Sequence, residues 1–130
     1  MLYAIFWTWV HLLQFCISNQ SLDPEEDALN KPWRPISSGL ASAPSARTLR
    51  WILLPLCFSL SVCLEVPWQG ISLALGFIAH NELGLHSHWL MRNICNALGY
   101  AFFNAGASAI AAGTFCTFSR RTQYKPYHLC

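Results

Sequence analysis

The chain has 130 residues, of which 54% are hydrophobic and 11% are charged, and its net charge is +2. Soluble domains usually carry about 25% charged residues, so this composition is far from that of an ordinary soluble protein. The small net charge and the lack of a basic stripe argue against a nucleic-acid-binding protein. The composition instead favours a chain whose apolar surface faces a lipid bilayer.

The charged residues are concentrated near the N-terminus. Four of the six acidic residues lie between Asp23 and Asp27, and four of the eight basic residues lie between Lys31 and Arg50. A charge at the centre of a bilayer costs about 3 kcal/mol or more. Because the other segments carry so few charges, the pattern predicts an integral, multi-pass membrane protein with one polar loop at the membrane surface.

The first apolar segment, 2–17, is rich in aromatic residues and predicts a membrane helix. A polar loop is predicted over 19–50, because its four prolines prevent one continuous helix. The second apolar stretch, 51–79, is too long for one straight span. Pro67 divides it into two predicted helices, about 48–64 and about 69–79.

A second loop over 81–88 precedes the last predicted helix, about 89–115. That helix carries small residues at four-residue spacing, which predicts a face for close helix packing. These residues are Ala97, Ala101, Ala105, Ala109 and Gly113. The chain is therefore predicted to be all-α, a partial multi-pass transmembrane bundle of about four helices over 1–115, followed by a divergent tail over 116–130.

Basic residues predict the orientation of the bundle. Those between Lys31 and Arg50 flank the first loop, and cytosolic loops of membrane proteins carry an excess of lysine and arginine. The first loop is therefore expected in the cytosol, with the 81–92 segment on the same face. Arg120, Arg121 and Lys125 would then lie on the opposite face, which the same rule disfavours.

The first loop also contains a pattern of metal-binding side chains. Asn19, Asp23 and Asp27 are spaced by four residues, so on one helix they would share a face. Mg²⁺ prefers such oxygen ligands and is often held by one or two carboxylates together with substrate phosphates. Lys31 and Arg34 follow directly and would supply the positive charge that a phosphate needs.

A purely structural interpretation of the same residues is also open. Asp23, Pro24 and Glu26 form an ordinary helix start, with an N-cap, a proline at the first position and an acidic residue at the third. Pro24 disfavours helical geometry at Asp23, which would interrupt the shared face. In this interpretation Lys31 and Arg34 are membrane-flanking anchors.

The segment resembles the first aspartate-rich motif of the UbiA superfamily of membrane prenyltransferases, N-x-x-x-D-x-x-x-D followed by K-P-x-R-P-I. The matching residues are Asn19, Asp23, Asp27, Lys31, Pro32, Arg34, Pro35 and Ile36. The segment 80–99 is similar to the loop and helix that follow in the family. Within the superfamily, the chain is most similar to the fungal UbiA-like group, which includes terpene cyclases.

The resemblance implies a helical bundle with a central cavity, which binds an isoprenoid diphosphate through Mg²⁺. Ionisation of the allylic C–O bond would give a carbocation that attacks an acceptor or closes on itself. The implied residues are Asn19, Asp23 and Asp27 for Mg²⁺, with Asp23 and Asp27 as the catalytic pair, and Lys31, Arg34 and Arg92 for the diphosphate.

The chain departs from the family in two respects, since it is about half as long, with fewer helices, and it lacks one motif. The second aspartate-rich motif, of the D-x-x-D-x-x-G-D type, is absent, and no aspartate follows Asp27. The chain resembles the N-terminal half of a prenyltransferase. A sesquiterpene cyclase and a catalytically inactive membrane protein are therefore the alternatives to a prenyltransferase.

Histidines and cysteines carry weaker signals. His80, His86 and His88 are expected to be surface residues of a loop rather than metal ligands, because no companion motif accompanies them. The six cysteines, most of them inside apolar runs and without metal-ligand spacing, are expected to be buried reduced thiols.

Overall fold

The computed structural model describes residues 1–22 and 24–123, except for the side chains of His86 and of residues 114–123. Within this part of the chain there are five α-helices, one short 3₁₀ helix and no strand. The helices are α1 (Leu2–Leu22), α2 (Pro24–Asn30), α3 (Ala43–Cys63), α4 (Pro67–Asn81), the 3₁₀ helix (Leu85–Ser87) and α5 (Trp89–Gln123). The prediction of an all-α bundle is confirmed, with α1, α3, α4 and α5 as its four long helices.

Much of the predicted polar loop is helical. Helix α1 continues past residue 17 to Leu22, α2 begins at Pro24, and α3 begins at Ala43. Ser42 caps α3, since its Oγ accepts a hydrogen bond from the backbone N–H of Ser45 at 3.3 Å. A side-chain cap of this kind satisfies one of the backbone donors that every helix start leaves without a partner.

The predicted break between the third and fourth helices is confirmed. Helix α3 ends at Cys63 and α4 starts at Pro67, whose missing N–H is not needed in a first helical turn. Glu65, between them, adopts a positive φ of 62°. The turn is closed by the backbone N–H of Val66, which donates to the carbonyl of Ser61 at 2.9 Å.

Trp7 of α1 occupies the middle of the core and is fully buried. Its indole Nε1–H donates to Oγ of Ser61 on α3 at 2.8 Å. On the other side of the ring, Gly106 of α5 approaches so closely that a Cβ there would overlap the indole. Phe103 of α5 meets the same indole edge-on, with ring centroids 6.0 Å apart. Helix α1 is thus held between α3 and α5.

Two described helices, Ala43–Cys63 and Trp89–Gly113, are long and apolar enough to cross a membrane by length and composition. Helix α4, with 15 residues, is shorter than the roughly 20 residues that a bilayer core needs. Many large apolar side chains on α1, α3 and α5 are exposed. Such an apolar exterior suits a bundle that faces lipid.

The small-residue face of α5 is exposed, and α1 contacts another face of that helix. Ala97, Ala101, Ala105, Ala109 and Gly113 are all exposed. Contact with α1 is made instead by Phe103 and Gly106, which lie on another face. Among the described residues, α1 therefore packs on the face of α5 that carries Gly106 and not on the alanine face.

The cysteines that the structure describes are free thiols, as expected from the sequence. Their burial differs from the expectation. Cys57 is buried and Cys95 is partly buried, whereas Cys16 and Cys63 are exposed on the apolar exterior. Cys116 and Cys130 lie outside the side chains that the structure describes.

Candidate functional site

Two contacts bring the helix ends near the predicted motif together. Nδ2 of Asn81, at the end of α4, donates to Oγ of Ser18 on α1 at 3.0 Å. Nη1 of Arg50, in α3, donates to Oε1 of Glu82 at 2.6 Å. The end of α1, the first half of α3 and the loop after α4 therefore meet at one end of the bundle. The acid–base segment and the 81–92 segment lie at that same end, which agrees with the sequence prediction.

The three predicted metal ligands are divided between elements. Asn19 lies in the last turn of α1 and is partly buried. Asp27 lies in α2, and Asp23, between the two helices, lies outside the described residues. In the described residues, Asn19 belongs to Leu2–Leu22 and Asp27 to Pro24–Asn30. Whether Pro24 starts a new helix depends on Asp23, so this expectation stays a prediction.

Asp27 forms an ion pair with Arg34. Nη1 of Arg34 donates to both carboxylate oxygens, at 2.8 Å and 2.7 Å, and both side chains are mostly buried. The backbone N–H of Lys31 donates to the carbonyl of Asp27 at 2.7 Å. The Lys31 side chain is exposed. The structure thus joins one predicted metal ligand to one predicted diphosphate ligand.

Arg92 lies in the first turn of α5 at the same end of the bundle. Its side chain is exposed, and its backbone N–H donates to the carbonyl of His88 at 2.9 Å. In the part of the chain that the structure describes, no hydrogen bond or ion pair joins it to Asp27 or Arg34. Arg92 is free to reach a ligand at this end, and its role stays a prediction.

No group of three or more His, Cys, Asp and Glu side chains within 1–22 and 24–123 is placed to hold a metal ion. Asp23 lies outside that range. The chemistry of the remaining donors still fits Mg²⁺, since a carboxylate of Asp27 and an amide oxygen of Asn19 are the hard ligands that this cation takes. The assignment of Asn19, Asp23 and Asp27 to Mg²⁺ remains a prediction.

A large apolar cavity lies between α1, α4 and α5, with a volume of about 570 Å³. Phenylalanine side chains from all three helices line it, and pairs of them are in ring contact, such as Phe15 with Phe77 at 5.0 Å between centroids. The four phenylalanines of the lining are Phe15, Phe77, Phe102 and Phe103. Its volume falls within the range of pockets that bind small organic molecules.

The cavity reaches the end of the bundle that carries the predicted motif. His80, Leu85 and Met91 line it there, at the end of α4, in the 3₁₀ helix and at the start of α5. Sequence analysis did not locate this cavity. The sequence feature that corresponds to the cavity is the recurrence of phenylalanine in segments that are far apart in the chain. This feature indicates a cavity only when it is known which helices pack together.

His80 is buried, contrary to the expectation of a surface loop residue. It belongs to the last turn of α4, and its ring lies 5.6 Å from that of Phe15. Oδ1 of Asn81 accepts a hydrogen bond from Nδ1 of His80 at 3.0 Å, and the same Asn81 side chain donates to Ser18. His80 therefore presents a polar ring to the cavity and is fixed through Asn81 to the end of α1. His88 is exposed, as expected.

Comparison with known proteins identifies the family of the chain. The profile of the UbiA prenyltransferase family matches residues 1–124. The chain is 33% identical over 111 residues to somaliensene A/B synthase of Streptomyces somaliensis, covering 84% of this chain and 36% of that protein. It is 27% identical over 110 residues to fumagillin beta-trans-bergamotene synthase of Aspergillus fumigatus, covering 85% of this chain and 38% of that protein.

The chain thus spans little more than a third of the length of these two relatives. No solved structure matches it significantly. The family profile, in contrast, extends over nearly the whole chain, including the acid–base segment and the helices that line the cavity. The chain belongs to the UbiA prenyltransferase family.

Proposed function

We propose that this chain supplies the isoprenoid-binding part of a UbiA-type enzyme that ionises an isoprenoid diphosphate. The observation that carries the proposal is the position of the cavity. An apolar, phenylalanine-lined space of about 570 Å³ begins at the end of the bundle where Asp27 and Arg34 lie. A substrate with a charged head and a long hydrocarbon tail fits such a pairing of polar and apolar surfaces.

The apolar end would hold the isoprenoid tail. Phe15, Phe77 and Phe103 provide ring faces, whose negative charge density stabilises a nearby cation. The lining of this cavity is mostly apolar, so few of its groups would react with a carbocation. These two properties support a cavity in which a carbocation forms and reacts.

The polar end would hold the diphosphate. Lys31, Arg34 and Arg92 supply positive charge there, and Asn19, Asp23 and Asp27 would hold Mg²⁺. When bound, Mg²⁺ supplies neutralising charge to the leaving diphosphate. Arg34 adds a guanidinium, which matches the geometry of phosphate oxygens better than a lysine does. The expected membrane orientation places this end of the bundle in the cytosol.

Two reactions are compatible with this site, and the relatives favour one of them. Both similar proteins are terpene synthases by name, one of somaliensene and one of bergamotene. We therefore favour intramolecular reaction of the carbocation, as in a terpene cyclase. Transfer of the prenyl group to an acceptor is the second candidate, supported by the name of the family.

A third candidate is a membrane protein that binds an isoprenoid diphosphate without turning it over. No aspartate follows Asp27 in the 130 residues. Binding and turnover are therefore measured separately in the test of this proposal.

The test uses the purified chain in lipid nanodiscs with farnesyl and geranylgeranyl diphosphate, with and without Mg²⁺. Binding is followed with a non-ionisable thiodiphosphate analogue, turnover by pyrophosphate release, and products by mass spectrometry of the extracted lipids. Asp27→Asn is expected to weaken Mg²⁺-dependent binding and to lower any turnover by about 100-fold or more. Glu26→Gln, an equivalent change at an exposed position of α2, is the matched control.

The outcomes separate the candidates. A hydrocarbon product formed without any acceptor identifies a cyclase, and a product that needs an added aromatic acceptor identifies a transferase. Mg²⁺-dependent binding without pyrophosphate release identifies the inactive protein. Failure to bind the analogue, or equal effects of Asp27→Asn and Glu26→Gln, would overturn the assignment of the site.

A further inference from the structure

A second and much smaller cleft lies between α1, α3 and α4, at the same end of the bundle. Its volume is about 10 Å³, close to the smallest space that holds one water molecule. Polar and apolar side chains share its walls. The lining residues that matter here are Gln14 and Ser18 of α1, Arg50 of α3 and Glu82 after α4.

Two buried polar atoms belong to residues that line this cleft. Oε1 of Gln14 and Nε of Arg50 have no hydrogen-bond partner within the part of the chain that the structure describes. Gln14 is 3% exposed and Arg50 is 8% exposed, so bulk water does not reach these atoms. Buried polar groups in native proteins are nearly always hydrogen-bonded to protein or to ordered water.

The two atoms have opposite hydrogen-bonding roles. The amide oxygen of Gln14 can only accept, and the Nε–H of Arg50 can only donate. A water molecule between them would accept from Arg50 and donate to Gln14, so it would satisfy both. We infer that the cleft binds a single ordered water molecule that bridges Gln14 and Arg50.

Charge and size exclude other ligands from this cleft. The Arg50 guanidinium repels a cation, and its charge is already balanced by the Glu82 carboxylate 2.6 Å from Nη1. An anion would meet that carboxylate and the amide oxygen of Gln14. An organic molecule does not fit in about 10 Å³. Water is the small neutral ligand with both a donor and an acceptor.

The bridging water connects helices that carry the candidate site. It links α1 to α3, while the Arg50–Glu82 pair links α3 to the end of α4. Ser18, the residue before Asn19, lines the same cleft. Its Oγ accepts the hydrogen bond from Nδ2 of Asn81. The inference does not depend on the proposed enzymatic activity, because it follows from the packing of the three helices alone.

The test is a direct search for the water. In the intact chain, labelled with ¹⁵N-arginine and reconstituted in lipid, magnetisation transfer from water protons should reach the Hε of Arg50. A high-resolution structure should show an ordered water about 3 Å from both Arg50 Nε and Gln14 Oε1. No transfer to Hε, or a direct hydrogen bond from Arg50 Nε to Gln14 Oε1, would overturn the inference.

A pair of variants tests the part of Gln14. Gln14→Met removes the acceptor at nearly constant size and is expected to lower the water-to-Hε transfer at least threefold. Gln69→Met makes the same change near the other end of the bundle, where it should leave the transfer unchanged. If Gln14→Met does not fold, Gln14→Glu retains an acceptor and should retain the transfer. Equal transfer in wild type and Gln14→Met, or loss of transfer in Gln14→Glu, would contradict the bridge.

Discussion

Nη1 of Arg34 lies 2.8 Å from Oδ1 and 2.7 Å from Oδ2 of Asp27, so a single nitrogen holds the whole carboxylate. Arg34 is predicted to bind diphosphate, and Asp27 is predicted to hold Mg²⁺. In this structure the guanidinium of Arg34 and the carboxylate of Asp27 form a hydrogen-bonded ion pair with each other. A metal that approaches Asp27 must therefore compete with Arg34, whereas a diphosphate would offer the arginine a new partner.

We predict opposite effects of Arg34→Gln on the two ligands. Binding of a divalent cation alone should become tighter by roughly fivefold, because an ion pair of this kind is worth about 1 kcal/mol. Binding of inorganic pyrophosphate should become weaker, because a cationic partner is lost. Titration with Mn²⁺, followed by electron paramagnetic resonance, measures the first effect, and calorimetry with pyrophosphate measures the second.

Arg47→Gln is the matched control for this prediction. Arg47 is an exposed guanidinium of α3, and its Nε–H donates to the carbonyl of Ser21 at 3.3 Å rather than to a carboxylate. The Arg47→Gln variant should therefore bind Mn²⁺ with unchanged affinity. If Arg34→Gln weakened Mn²⁺ binding, the ion pair would be a support for the metal site and not a competitor.

The contact between Gly106 and Trp7 predicts that α5 does not tolerate a side chain at residue 106. A Cβ there would overlap the indole ring, which is fully buried and hydrogen-bonded to Ser61. Gly106→Ala should therefore lower stability by about 1–3 kcal/mol, the usual cost of overpacking. Thermal unfolding of the purified chain in detergent measures the effect.

Gly99→Ala is the control on the same helix, where an added Cβ meets nothing within 4 Å. It should be neutral or stabilise the chain by about 0.5–1 kcal/mol, because alanine favours a helix over glycine. Equal unfolding temperatures of the Gly106→Ala and Gly99→Ala variants would show that the packing of the Trp7 ring does not require a glycine at residue 106.

Ser61 is predicted to stabilise the core through hydrogen bonds rather than volume. Its Oγ accepts from Trp7 Nε1–H, lies 2.9 Å from the carbonyl of Cys57, and is 3.2 Å from Nε2 of His11. Nδ1 of His11 must donate to the carbonyl of Trp7, 2.9 Å away, because that oxygen can only accept. In a neutral ring Nε2 is then an acceptor that faces the Ser61 hydroxyl.

Ser61→Ala would leave the Trp7 indole N–H without its partner in a buried site. The expected loss is about 1–3 kcal/mol, since an unsatisfied buried group costs its full desolvation. Ser59→Ala, an equal change at an exposed position of α3, should have little effect. Chemical or thermal unfolding of the two variants compares them, and equal stability would show that the hydrogen bonds contribute nothing measurable.

Phe77 is predicted to limit the length of isoprenoid that the cavity accepts. It lines the cavity and packs against Phe15 and Phe103, with ring centroids 5.0 Å and 6.3 Å away. Phe77→Leu replaces the ring with a smaller side chain, so the preference should shift toward geranylgeranyl over farnesyl diphosphate. Competition between the two thiodiphosphate analogues measures the ratio, with a shift of roughly tenfold expected.

Phe58→Leu provides the comparison, because Phe58 is 39% exposed and does not line the cavity. It should not change the ratio. A Phe77→Leu variant with an unchanged ratio, but with normal binding of each analogue, would mean that the isoprenoid tail lies elsewhere.

Local features of the structure could be predicted well from the sequence. Pro67 starts α4, since its missing N–H is not needed in a first helical turn. The helices within the polar loop were not predicted. In a segment rich in proline and serine, a single capping residue such as Ser42 is a weak indication of a helix start.

Two of the predicted site residues are in contact, while their roles in binding stay predictions. The sequence pattern placed an aspartate and an arginine close together, and Asp27 and Arg34 are in contact. It did not predict that the arginine would hold both aspartate oxygens, nor that His80 would be buried at the cavity. Both outcomes depend on which side chains share a space after the helices have packed.

The amino-acid sequence alone determined the helical class, the apolar exterior and the family motif, because each depends on residue type and short-range spacing. The tertiary structure decided the cavity, the exclusion of a side chain at Gly106 and the polar links between helices. Trp7 meets Ser61 across 54 positions of the chain, and Ser18 meets Asn81 across 63. Contacts over such separations are selected by the packing of whole helices, which no local pattern of residues specifies.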